Sequence, residues 1–328
     1  MNNILKKKIN IENKASARKL HLGRKFMYSE IEKMHKKYLS GDGNYFKKLL
    51  EKRKCPLCFN ASKNYLFQKR GGHYVRCKKC YLVHLDPVFK DKDLKNYYKN
   101  LHSAQSKVTK NESKFYRKIY TNGLKLVSLF KKKGTILDIG CSSGFFLDIA
   151  KKNKWQTFGI ELNKKESKIA KIKHNVFENN LEELKRRKFD VITMWDVIEH
   201  IKDGNKCMQE MRKKLKKNGL IFFQTPNVNS LAARIIQEKC NLFDGIEHVN
   251  LYDFNTMKLL AKKNNFKILR MESVISELQV ISNYLDYQDP YFGSLKYKKN
   301  ILGLFNSKSL HQNLLGYKMQ VVLKKVGN

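Results

Sequence analysis

Four cysteines stand as two C-x-x-C pairs, Cys55 with Cys58 and Cys77 with Cys80, separated by eighteen residues. Each pair suits a tight knuckle that aims two thiolates at one ion, and the spacing is that of a four-cysteine zinc ribbon. Four thiolates complete a tetrahedral sphere, so the expected Zn2+ is structural, with no open position for water. A second constellation begins at L-D-I-G-C-S-S-G (137–144), an apolar run ending in a small-residue turn. With no side chains at Gly140 and Gly144 a ligand can lie against the backbone, and the free N–H groups of a helix start favour electron-rich atoms. The spacing D-x-G-x-x-x-G is neither a phosphate loop nor a complete dinucleotide fingerprint. Glu161 closes the next strand-like run, W-Q-T-F-G-I, roughly twenty residues past the turn, where a carboxylate can accept both hydroxyls of a ribose.

These residues need a scaffold, and the hydrophobic pattern supplies one. Strand-like runs near 135–139, 155–161, 175–178, 189–195 and 219–225 alternate with helical stretches. That alternation predicts right-handed crossovers and a parallel sheet buried on both faces. Two late strands, 266–273 and 317–324, complete it. The segments divide into a basic N-terminal extension (1–50), a zinc-ribbon module (51–88), a helical linker or cap (89–130) and a larger α/β domain (131–328). In the extension the spacing from Ile31 to Tyr38 suits one amphipathic helix, and the remainder is expected to be a mobile arm. The α/β domain carries a long connection near 274–316, rich in aromatics, which with 228–255 is placed to shape a substrate pocket. A surface insertion without function is the competing reading of that connection.

The formal net charge is +39, yet only eleven of the 68 basic residues are Arg. Lysine spread through a Lys-, Asn- and Ile-rich chain is the mark of an AT-biased genome; a polyanionic partner or an acidic substrate is the alternative. No run of eighteen apolar residues occurs and the N-terminus lacks an apolar signal segment, so a cytoplasmic protein without a membrane span is expected.

Two further runs, F-D-V-I-T-M-W-D-V-I-E-H (189–200) and L-K-K-N-G-L-I-F-F-Q-T-P-N (215–227), follow L-D-I-G-C-S-S-G in order. Together they resemble class I S-adenosylmethionine-dependent methyltransferases over roughly residues 130–328, and the likeness extends upstream through Cys55. It is nearest to bacterial small-molecule enzymes with an N-terminal zinc-binding segment, including sugar C-methyltransferases, with ubiquinone O-methyltransferases more distant. The resemblance implies a Rossmann-like, seven-stranded, mostly parallel sheet with helices on both faces, its last strand antiparallel beside the fifth. It also implies S-adenosylmethionine as cofactor, with Asp138, Gly140 and Gly144 at its methionine and sugar portion and Glu161 on its ribose. Leu162 would touch the adenine face, Asn180, with Asn179 beside it, the adenine amino group, and Trp195 and Asp196 the methionine end. Ser142 stands where the family often has Gly.

On the acceptor side His248 and His200, each preceded by Glu, are the base candidates, since imidazole titrates near neutrality. The resemblance of G-I-E-H-V-N-L-Y-D-F (245–254) to an acceptor-side segment puts His248 first. Asn227 at the end of the fifth strand either orients the acceptor or caps a loop. The implied activity is methylation, on carbon or oxygen, of a small molecule such as an anionic nucleotide sugar or surface-polysaccharide precursor. An rRNA or tRNA methyltransferase gripping RNA through the ribbon and basic surface is the alternative. The low Arg share and the absence of an N/D-P-P-[YF] motif count against it. A non-catalytic scaffold is a third reading, opposed by the intact Asp138, Gly140, Gly144 and Glu161.

Overall fold

The computed structural model describes residues 25–101, 113–178, 181–184, 186–293 and 306–327. Among them are thirteen strands: β1 (Leu50–Glu51), β2 (Lys63–Lys69), β3 (Gly72–Cys77), β4 (Val83–Leu85), β5 (Val88–Phe89), β6 (Gly134–Ile139), β7 (Trp155–Ile160), β8 (Asn175–Phe177), β9 (Phe189–Trp195), β10 (Leu215–Pro226), β11 (Asn250–Leu251), β12 (Phe266–Val274) and β13 (Lys318–Lys325). Seven form one sheet in the order β12-β13-β10-β9-β6-β7-β8. From β10 to β8 neighbours are parallel, and β13 lies antiparallel between β10 and β12. The expected Rossmann-like sheet is therefore present, with its late antiparallel strand beside the fifth.

Why these segments became central strands is visible in their composition. Ile136, Leu137, Val191, Ile192, Phe222 and Phe223 are fully buried although successive residues face opposite sides of the sheet. Such continuous apolar runs fit a sheet covered on both faces. Helices Phe145–Lys152, Lys164–Lys171, Gly204–Lys214 and Phe254–Lys263 connect or flank the strands. Asn163 caps the second through its side chain, and Asp253 with Thr256 forms a capping box at the fourth.

A second sheet, in the order β11-β4-β3-β2, holds the cysteine module. Its fourth strand comes from the far end of the chain: Asn250 pairs with His84 and Leu251 with Val83. The module is thus stitched into the α/β domain. Asn205 donates to the carbonyls of Pro56 and Leu57, at 2.8 and 3.3 Å, and Lys263 to that of Leu57 at 2.7 Å.

The expectation of a mobile arm fails for residues 25–50. Helix Lys25–Lys36 and the chain after it fold back, and Met34, Tyr38 and Leu39 pack against a cluster of Tyr45, Phe89, Leu94, Tyr97 and Ile246. Burial of that apolar stripe outweighs the surrounding lysines. In the long connection, helices Leu278–Leu285 and Ser307–Gln312 pack through Leu278, Ile281 and Leu310 on Ala232. Among the described residues no helix is long and apolar enough to cross a membrane.

Candidate functional site

The glycine turn sits where β6 ends. Gly140 and Gly144 take φ of +75° and +85°, and a Cβ at Gly140 would lie 2.7 Å from Val197 Cγ2. Only glycine meets both demands, positive φ and close approach. The turn is tied to β7 by the Gly140 and Cys141 amides, which donate to the Ile160 carbonyl at 2.8 and 3.1 Å. Glu161 completes the tie: its carboxylate accepts from the Ser142 amide at 2.8 Å and the Asn163 amide at 2.7 Å. Ser142, itself at φ +47°, donates its hydroxyl to Glu166 at 3.0 Å. Beside Glu161, Leu162 is 73% exposed, an apolar side chain left open at the mouth of the turn.

Asp138 is buried below the turn and accepts from Thr193 Oγ1 at 2.7 Å. Burial pushes its carboxyl up to about 8, with Thr193 opposing and Glu161 adding to the rise. Burial likewise raises Glu161, against the amide bonds that favour its charged form. Trp195 is packed among Tyr120, Phe146 and Phe222, with ring centroids 4.6 to 5.0 Å away, under helix Ser113–Ser128. Asp196, at φ +57°, pairs with Lys318 and accepts from Gln224 at 3.3 Å. Asn179 and Asn180 lie outside the described residues.

The two histidines, 48 positions apart in the sequence, meet in space with ring centroids 4.9 Å apart. One ring nitrogen of each and a Glu199 oxygen all lie within 4.8 Å of one another. His248 Nδ1 lies 2.7 Å from the Leu242 carbonyl, which can only accept. The proton therefore sits on Nδ1, and in the neutral ring Nε2 is the basic nitrogen. Burial opposes the His248 cation, but Asp244 and Glu199 outweigh it and raise its pKa. His200 goes the other way, down to about 3, through burial and the neighbouring His248. Glu199, fully buried, accepts from Thr225 at 2.9 Å on one oxygen, and burial with Asp196 lifts it to about 7.

The loop carrying His248 is built around two residues absent from the sequence-based candidates. Asp244 accepts from the amides of Ile246, Glu247 and His248 at 2.9 to 3.2 Å. Tyr74 of β3 accepts from the Asp244 and Gly245 amides, both at 3.2 Å, so the cysteine module holds this loop directly. The Asp-Gly pair before Glu247 was a legible turn signal; Tyr74 and Lys318 had none, being 170 and 122 positions from their partners. Asn227 is spent on structure, donating to Leu314 and Gly316 carbonyls at 3.0 Å each, which favours the loop-capping reading.

The four cysteines converge as expected. Cys55 and Cys80 Sγ are 3.5 Å apart, as are Cys58 and Cys77, and all four sulfurs lie within 4.8 Å of one another. The two knuckles repeat one geometry. Phe59 and Tyr81 sit at φ +62° and +64°, donating to the Cys55 and Cys77 carbonyls at 2.8 and 3.1 Å. Zn–S bonds of about 2.3 Å place sulfurs roughly 3.8 Å apart in a tetrahedron, so the set fits a zinc ion with little adjustment.

Residues 112–271 match the family model described as a methyltransferase domain. Among curated relatives, a ubiquinone biosynthesis O-methyltransferase of Pelagibacter ubique is 35% identical over 100 residues, 28% of this chain and 42% of that protein. The namesake of Idiomarina loihiensis is 29% identical over 111 residues, 31% of this chain and 45% of that protein. The chain thus spans less than half the length of these relatives. A solved SAM-dependent methyltransferase of Archaeoglobus fulgidus aligns at TM-score 0.45 and 21% identity, covering 65% of this chain and 97% of that one.

Proposed function

From the match of residues 112–271 to a methyltransferase domain, we propose that the protein is a class I enzyme that transfers a methyl group from S-adenosylmethionine to a small hydroxylated acceptor. The observation that carries the reading is the coupling of Glu161 to the glycine turn: one carboxylate, fixed by two backbone amides, beside a turn whose two glycines stand at positive φ. Asp138, Gly140, Gly144, Glu161 and Leu162 would hold the cofactor, with Asp196 bordering its methionine end. The cofactor supplies a methyl already activated by the sulfonium charge. What remains for the chain is to position the acceptor and remove its proton.

His248 is suited to that proton, because its Nδ1 is committed to the Leu242 carbonyl and its Nε2 remains basic. His200, held neutral by burial, lies beside it. Glu199 Oε1 and Glu247 Oε1 are buried with no hydrogen-bond partner among the described residues. Both can accept from acceptor hydroxyls, which supports a substrate rich in such donors. We favour a nucleotide sugar or surface-polysaccharide precursor; a hydroxylated aromatic, as the names of the ubiquinone relatives suggest, has the same donor chemistry. Zn2+ held by Cys55, Cys58, Cys77 and Cys80 would fix the small sheet on which the acceptor loop rests, and would take no part in transfer.

The test is transfer of labelled methyl from S-adenosylmethionine, by nuclease-treated protein, into nucleotide sugars, catechols and, separately, total RNA. Label in a hydroxylated small molecule supports the proposal. Label in RNA alone would overturn it.

A further inference from the structure

Between the N-terminal segment and the acceptor loop runs a buried chain of hydrogen bonds that the proposed reaction has not used. His35, at the end of helix Lys25–Lys36, is 2% exposed, Tyr45 2% and Tyr97 0%. Tyr45 Oη lies 3.0 Å from His35 Nδ1, and His35 Nε2 lies 3.1 Å from Tyr97 Oη. Tyr97 in turn is hydrogen-bonded to the Glu247 side chain. Burial keeps His35 neutral, with its pKa lowered to about 4 although Asp244 favours the cation.

The Arg70 backbone also hydrogen-bonds the His35 ring, and within the Tyr45-His35-Tyr97-Glu247 chain the donors follow from its carboxylate end. Burial and Asp244 lift Glu247 to about 7, against the Tyr97 bond; above that pH the carboxylate is ionised and only accepts, so Tyr97 gives its single proton to Glu247. Its oxygen must then accept from His35, which fixes that ring's proton on Nε2. Nδ1 is left to accept from Tyr45. All three bonds therefore point the same way, from the N-terminal segment toward the carboxylate adjoining His248. Glu247 is otherwise poorly supplied: its Oε1 has no partner among the described residues, and Asp244 is a like charge close by. An unsupported carboxylate there would be free to turn away from the site or to take up a proton.

We propose that His35, with Tyr45 behind it, is a positioning residue of the acceptor site, holding Glu247 beside His248 through Tyr97. The inference rests on the acceptor-side reading given above. It assigns the N-terminal segment, which lies outside the matched methyltransferase domain, a part in orienting the acceptor. It also accounts for three polar aromatic side chains buried in a cluster that apolar residues could fill.

The experiment compares Tyr97→Phe, His35→Leu and His35→Gln in the full-length chain. Phe keeps the ring and loses only the donor. Gln can accept from Tyr45 and donate to Tyr97, whereas Leu can do neither. With whichever acceptor takes label, Tyr97→Phe and His35→Leu should lower kcat about tenfold or more, and His35→Gln should recover most of that loss. Affinity for S-adenosylhomocysteine, measured by calorimetry, should stay within twofold in all three. Nitrogen-15 spectra of the histidine rings provide a readout independent of any acceptor: His35 should be protonated at Nε2, and Tyr97→Phe should shift the His248 ring signals. A His35 protonated at Nδ1, His248 signals unmoved by Tyr97→Phe, or equal activity of the Leu and Gln variants would overturn the inference. Loss of S-adenosylhomocysteine binding by the unmodified protein would instead strike the methyltransferase reading.

Discussion

The proposed cofactor half and the proposed acceptor half of the site stand at the same end of the sheet and are built in opposite ways. The cofactor half is contiguous: Asp138 to Glu161 spans one strand, one turn, one helix and the next strand, joined by backbone amides within that stretch. The acceptor half draws Glu199 and His200 from the loop after β9, Asp244 to His248 from another loop, Tyr74 from the cysteine module and Tyr97 with His35 from the N-terminal segments. The first depends on local backbone geometry, so it should survive damage elsewhere. The second depends on the docking of distant segments, so it should fail when any one of them is loosened.

The largest break in this comparison comes from the metal. Structural zinc contributes about 10 kcal/mol or more to the folding of small sites. Cys77→Ser should therefore lose most bound zinc, and amide exchange should accelerate through 51–88 and at β11, which pairs with β4. Exchange across 134–161 should change little. Full zinc occupancy in this variant would refute four-cysteine ligation, and equal acceleration in both halves would refute the separation.

A smaller effect, confined to the cofactor half, is a dependence on pH. Asp138 keeps its proton in the folded protein up to about 8, against an ordinary value of 3.8. Between those values the unfolded chain releases a proton that the folded chain retains, so stability falls as pH rises, by at most about 1.4 kcal/mol per unit. Above the folded value the slope vanishes. Asp138→Asn removes the titration, so its melting temperature relative to the parent should climb from pH 4 to 8 and then level. A constant difference across that range would place Asp138 in a less buried state. Ser142→Gly should show the smallest change, within about 1 kcal/mol by urea unfolding: the lost hydroxyl bond to Glu166 is offset by relief of φ +47°.

The contrast between the halves also explains what the sequence disclosed. Gly140, Gly144 and Glu161 were legible because turn, helix start and strand end follow one another at fixed separations. The parallel sheet was legible because strands and helices alternate, whereas the place of the late antiparallel strand came from the family resemblance. The cysteine pairs carried their geometry in their spacing. By contrast, the amphipathic pattern around Ile31 to Tyr38 disclosed a helix but not its burial, since dense lysine obscured the apolar stripe. Trp195 shares a face of β9 with Thr193, which bonds Asp138, and its ring is packed among Tyr120 and Phe222, contacts between distant segments that no local pattern encodes. The His200 and His248 contact and the Asp196 and Lys318 pair join residues 48 and 122 positions apart, and no local pattern encodes them.

The most direct test is calorimetric titration of S-adenosylhomocysteine into the parent protein, Glu161→Ala and His248→Ala. One site per chain is expected, weakened by ~1.5 to 3 kcal/mol in Glu161→Ala through loss of a charged acceptor, and unchanged within twofold in His248→Ala. Absence of binding to the parent, or an affinity indifferent to Glu161, would contradict the account.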